Sequence, residues 1–215
     1  MGELVNWDWI GRNLDDVWAL TREHVFLSVL PVAFGFAIAF PLALLVRRYP
    51  RLYGPLLTAT GVLFTIPSLA LFVLVLPITG LSIAAPLFAL TLYTLLVLLR
   101  NTVEGLRSVP RDVVESAQAM GYTSRDLLLH VELPLALPVI IAGLRIATVT
   151  SIGIVAVAAV IGQGGLGDLF YAAFQRFFLT PALVGTLVCV VLSLLADLGL
   201  LSLQRAFTPW TRRTR

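Results

Sequence analysis

Lysine is absent from this 215-residue chain: all fifteen of its basic residues are arginine. A phosphate loop of the GxxxxGK[ST] kind depends on its lysine, so ATP hydrolysis by that route is excluded, and lysine Schiff-base chemistry with it. Cysteine is nearly absent as well. The single Cys189 lies inside an apolar run, which rules out an internal disulfide. His24 and His130 are too few and too far apart to build a metal site with it, and both are expected at the membrane interface. Charge is also scarce, at 13% of residues against about 25% in soluble domains. The net charge of +3 is no nucleic-acid footprint, because the arginines follow a different logic described below.

Apolar residues make up what is left: 59% of the chain, with a mean hydropathy of +0.95. From Leu52 to Leu99 there is no charged residue at all. One span takes about 20 apolar residues, so that run holds two, with a break near Pro77–Pro86. The chain reads as an all-α polytopic membrane protein with spans near 24–46, 55–77, 83–100, 136–161 and 181–203. Lipid offers no partner to a bare backbone group, so each span is helical.

The arginines set the orientation. Arg47, Arg48, Arg51, Arg100, Arg107, Arg111, Arg125, Arg205, Arg212, Arg213 and Arg215 all fall on one side if the N-terminus is outside. Only Arg12, Arg22 and Arg176 fall on the other. The positive-inside rule then predicts an inner (cytoplasmic) membrane protein with an outer N-terminus and a cytoplasmic C-terminus. Residues 1–23 carry Glu3, Asp8, Asp15, Asp16 and Glu23, which is not the pattern of a signal peptide. They read as an extracytoplasmic, interfacial segment with Trp7, Trp9 and Trp18, in which Asn13 and Asp16 open a short helix. Residues 24–215 are then the membrane domain, with a cytoplasmic loop at 101–135.

That loop is polar between very apolar neighbours. Ser108 is placed to cap a helix that Pro110 enters, and Gly121 suits the left-handed position that ends one. Thr123 with Asp126 opens a second short helix, which Pro134 is expected to stop. In the same stretch Glu115, Ala117, Gly121, Leu133 and Pro134 fall in register with a known pattern, with Ser116 and Val131 as mild departures from it. The stretch resembles the EAA loop of ATP-binding-cassette importer permeases. Five matches in register over twenty residues make that a specific signal.

The resemblance extends over about residues 24–205. Phe64-Thr65-Ile66-Pro67-Ser68-Leu69-Ala70-Leu71-Phe72, Leu99-Arg100-Asn101-Thr102 and Ile161-Gly162-Gln163-Gly164-Gly165-Leu166-Gly167 are similar to the branch that imports glycine betaine, carnitine, choline and proline betaine. It implies a type I importer fold with a five-helix core, as in methionine permeases, and a methionine-type permease is the nearest alternative, disfavoured by the Thr65-Ile66-Pro67-Ser68 and Arg100-Asn101-Thr102 runs. The resemblance also implies a second permease copy or homologue, two cytoplasmic ATPase subunits holding ATP and Mg, and a separate extracytoplasmic binding protein. No cofactor is expected on this chain. The ATPase contact would fall to Glu115, Ser116, Ala117, Met120, Gly121, Leu133 and Pro134.

Within the spans, Arg145 needs a partner, since a bare arginine there costs about 2.5–3.5 kcal/mol. Asp197 is the candidate, as a bridge between two helices or as a polar gate. Pro41, Pro67 and Pro77 either kink their spans or free carbonyls toward a cavity. Phe64, Phe72 and Tyr93 either pack or offer cation–π faces to a quaternary ammonium, and with Pro67 and Asn101 they form a candidate path. Gly162-x-Gly164-x-x-Gly167 matches a dinucleotide fingerprint only formally, because it follows a long span and lacks the later acidic residue. It is expected to be a tight outer turn, leading into a segment at 168–178 that faces the binding protein. A serine hydrolase within the bilayer is disfavoured by the positions of the two histidines, and a secondary transporter has no need of an ATPase-docking loop.

Overall fold

Apolar runs with few charges leave helix as the main solution, and the computed structural model, which describes residues 5–212, shows no strand among them. Asn6 caps α1 (Trp7–Arg12), accepting from the Trp9 amide at 2.8 Å. A single helix, α2, then runs Leu14–Arg48. The predicted short helix at Asn13 is therefore the start of the first long span. Asn13 makes no side-chain cap there; its amide donates back to the Trp9 carbonyl at 2.7 Å instead. Glu3, Arg213 and Arg215 lie outside the described residues.

The second predicted span, 55–77, is not one rod. It divides into α3 (Tyr53–Thr65) and α4 (Ser68–Thr79), which meet at 98°. Ile66 and Pro67 at the corner are both extended, as a residue before proline prefers to be. Pro67 thus breaks the run, whereas Pro41 and Pro77 stay inside their helices. The carbonyl freed at Ile66 accepts the Tyr93 hydroxyl from the next helix.

That helix, α5 (Ala84–Arg107), is the central one, with Leu90, Leu98, Leu99 and Val103 almost wholly buried. Its arginine-rich end lies beside that of α2, where Ala43, Arg47, Val103 and Arg107 line a common cavity. The two helices are therefore parallel, so α3 and α4 together return the chain across the bundle. After a short loop region containing α6 (Arg111–Ala119) and α7 (Ser124–Leu127), α8 (Leu133–Val155) runs back antiparallel to α5. A β-carbon at Gly143 would come within 2.4 Å of Asn101, so this residue sets how closely α5 and α8 approach.

The chain closes with α9 (Gly167–Arg176) and α10 (Thr180–Phe207). Among the described residues four helices are long and apolar enough to cross a membrane, or five spans with the bent pair counted as one. Little of α10 is buried apart from Thr180, Pro181 and Gly185, so most of its apolar surface faces outward from the chain.

His24 departs from its expected interfacial place. It is fully buried, and its Nε2 donates to the Ile152 carbonyl at 2.9 Å. The physical reason lies in α8, whose last carbonyls lose their partners where the helix tightens into a 3-10 turn, Ala156–Ile161. His24 satisfies one of them. Ser28 donates to the His24 carbonyl and Ser151 to that of Ser28, at 2.7 and 2.9 Å, extending the polar contact between α2 and α8. The glycine-rich turn packs on the same residue: a β-carbon at Gly165 would sit 2.8 Å from the His24 backbone. The segment is a packing turn, as expected, and not a nucleotide loop.

His24→Ala removes this bond and leaves a void, at a cost of about 2–3 kcal/mol. The expected fall in melting temperature in detergent is roughly 4–12 °C, against almost none for the exposed His130→Ala. Equal melting temperatures for the two variants would contradict the capping role.

Candidate functional site

The most exposed feature of the arginine-rich end is α6. Ser108 does not open it; its hydroxyl donates to the Gly105 carbonyl at 2.7 Å and closes α5, leaving Pro110 in the cap position. Proline fits there because the missing N–H has no helical partner to lose. The other end is closed as expected. Gly121 has φ +87°, Tyr122 donates to the Ala117 carbonyl and Gly121 to that of Gln118, so every bond of a Schellman cap is present. Thr123 then accepts from the Asp126 amide at 3.2 Å and starts α7.

Glu115, Ser116, Met120 and Gly121 face outward, while Ala117 is buried and holds the helix down. Met120 is 72% exposed, and Val113 and Tyr122 are exposed beside it. Exposed apolar side chains at both ends of this short helix make a surface suited to a protein partner. Leu133 packs against the core cluster of α2, α5 and α8, and does not reach the tip.

Pro134 does not stop the chain. It occupies the first turn of α8, directly after a π-helical turn, Leu128–Glu132, that continues from α7. Widening the turn accommodates the proline, whose nitrogen has no hydrogen to give. The consequence is mechanical: 124–161 forms one continuous rod, so α6 is joined to a span by a single short turn.

Within the π turn sits Glu132, which the sequence reading passed over. It is 9% exposed and forms an ion pair with Arg47 at the end of α2. The signal available was a lone acid in a Val-Glu-Leu-Pro run facing an arginine-rich end. Next to it, the Tyr53 hydroxyl donates to Glu104 at 2.6 Å and Arg107 lies 4.1 Å over the Tyr53 ring. Helices α2, α3, α5 and α8 are thus tied together under α6.

Farther along the spans, Arg145 of α8 and Asp197 of α10 meet in a bidentate pair, with both N–O distances 2.8 Å. They share a groove of about 520 Å3 with Thr150 and Ser193. The candidate path residues separate into different roles. Phe72 is fully enclosed in the core cluster of α4 and α5 and offers no ring face to a solute. Asn101 donates to the Val97 carbonyl at 2.8 Å and packs against Gly143. Phe64 stands edge-on to Tyr93 with ring centroids 5.5 Å apart, beside the corner at Pro67.

At the opposite end, α9 and the N-terminal helices frame a cavity of about 390 Å3 lined by Trp9, Asp16, Asp168, Arg176 and Phe178. Trp9 and Phe178 meet edge to face at 6.1 Å. Burial, and then the charge of Glu23, raise the Asp168 carboxyl above its usual pKa.

The chain is 40% identical over 188 residues to the glycine betaine/carnitine/choline transport system permease protein OpuCD of Bacillus subtilis, covering 87% of this chain and 82% of that one. It is 38% identical over 196 residues to the osmoprotectant import permease protein OsmW of Salmonella typhimurium, covering 89% and 91%. With the carnitine transport permease protein OpuCB of Listeria monocytogenes it shares 34% over 189 residues, covering 88% and 87%. The fold is similar to that of the MetNI methionine ABC transporter in an inward-facing conformation, with a TM-score of 0.78 at 23% identity, covering 95% of this chain and all of that one. The all-α importer architecture expected from the sequence is the one found. Residues 27–213 match the model for the inner membrane component of binding-protein-dependent transport systems, and the chain belongs to that family.

Proposed function

We propose that this chain is the permease of an ATP-driven importer for quaternary-ammonium osmoprotectants such as glycine betaine, carnitine, choline or proline betaine. The observation that carries the importer reading is α6, a rigid knob closed by Pro110 and Gly121 and presented at the arginine-rich end. The solute class is supported by the names of relatives that align over most of their length. The chain itself is no enzyme: its family is made of permease subunits, and hydrolysis resides on separate chains.

In this reading the arginine-rich end is cytoplasmic, the N-terminus is outside, and two ATPase subunits each receive one α6 from a pair of permeases. Glu115 provides a charge for register, Ser116 close approach, and Met120 apolar contact. Closure of the ATPases pushes α6, and the continuous rod of α7 and α8 carries the push into the membrane. The Arg47–Glu132 pair makes α2 follow. Two rigid arrangements of such a bundle suffice to open a path first to one side and then to the other. The binding protein sits on the opposite face, over α9 and the cavity walled by Trp9 and Phe178.

The assembled importer in proteoliposomes is expected to take up radiolabelled glycine betaine or choline only with ATP, and to leave methionine outside. Uptake without ATP, or of methionine alone, would overturn the reading. Glu115→Arg or Gly121→Asp is expected to leave the permease inserted but abolish co-purification of the ATPase; normal co-purification and uptake by both would contradict the docking role. Glu132→Gln is expected to behave differently, with the ATPase still bound and uptake per ATP reduced about fivefold or more, the effect of losing a bond of roughly 1–3 kcal/mol. The double exchange Arg47→Glu with Glu132→Arg should restore most of it. Uptake by Glu132→Gln equal to that of the wild type would remove the pair from the coupling route.

A further inference from the structure

The Arg145–Asp197 pair does not lie in the packed interior of the chain. It forms part of the wall of the groove between α8 and α10, and its side chains keep 26% and 35% of their surface accessible. Two hydroxyls, Thr150 and Ser193, line the same groove. Thr150 also borders the small cavity under Tyr93, so the groove adjoins the region where α5, α8 and the corner at Pro67 come together.

A pair that served only to staple two helices would be better screened from its surroundings by close packing. Charges within spans otherwise face the bundle interior or a water-filled cavity. Here the open space, the two opposite charges and the hydroxyls occur at one place. We infer that this groove is an intramembrane receiving site for a zwitterionic solute, one bearing a carboxylate and a quaternary ammonium on a short frame. This rests on the importer reading.

The chemistry is an exchange of partners. The Arg145 guanidinium releases the Asp197 carboxylate and takes the solute carboxylate in the same two-point manner. Asp197, set free, faces the quaternary ammonium. No net charge is brought into the membrane and no charge is left without a counter-charge, which is the costly outcome when one member of a pair is removed. When the solute leaves, the bridge closes again. A cation lacking a carboxylate satisfies Asp197 only and strands the guanidinium, so the groove discriminates by solute charge pattern.

The test uses the assembled importer in proteoliposomes, with saturating binding protein, and reads glycine betaine and choline uptake per ATP hydrolysed. Arg145→Gln is expected to lower glycine betaine uptake at least tenfold more than choline uptake. A pure staple would lower both in the same proportion, and that result overturns the proposal. Ser193→Phe fills the groove while leaving both charges in place, and is expected to cut uptake of both solutes at least fivefold without loss of the bound ATPase. Uptake within twofold of wild type in Ser193→Phe also overturns it, and this arm stands if Arg145→Gln fails to assemble. A wild type that carries choline and not glycine betaine overturns it as well. Failure of the wild type to carry either solute with ATP would instead overturn the importer reading.

Discussion

A polar group placed among these apolar spans must find its partner within protein, because lipid supplies none. Most of what is distinctive in the structure follows from that constraint. The carbonyl exposed at the 3-10 turn after α8 is met by His24, and the Ile66 carbonyl left free at the extended break between α3 and α4 is met by Tyr93. Arg145 is met by Asp197 across two helices. Each of these bonds joins elements far apart in sequence, so the interruptions in helical regularity are also the places where the bundle is fastened.

The same bonds divide the molecule by mechanical role. Near the start of α2, His24, Ser28 and Ser151 hold α2 to α8 around a tight glycine turn. At the arginine-rich end, Arg47 and Glu132 hold the same two helices beneath the exposed α6. A force applied to α6 therefore meets a stiff unit rather than a loose loop, since a Schellman turn closes its C-terminal end and α7 runs into α8 without a break. Stiffness is what a transmitting element requires: a flexible loop would absorb the displacement instead of passing it to the spans.

Much of this was legible in the sequence. Hydropathy located the spans, the arginines gave their alternation, and Gly121 with Thr123 announced the turn that bounds α6. The need of an arginine within a span for a counter-charge pointed from Arg145 to Asp197. What was not legible depended on neighbours brought from elsewhere in the chain. The 98° corner at Pro67 looks in sequence like the undisturbed prolines at 41 and 77, and the Tyr93 hydroxyl that meets the Ile66 carbonyl comes from a separate helix. His24 resembles an interfacial histidine until the end of α8 is placed against it. Pro134 reads as a stop, yet a π turn carries the helix past it. Glu132 is inconspicuous without Arg47 beside it.

The central claim is that α6 is the cytoplasmic grip through which ATPase motion enters the membrane. Labelling a single cysteine at position 116 (Ser116→Cys with Cys189→Ser) by a membrane-impermeant maleimide tests it most directly. Modification is expected in inside-out vesicles and not in right-side-out ones, and bound ATPase should protect the thiol. Labelling from the outer face, or labelling undiminished by the ATPase, would contradict the claim.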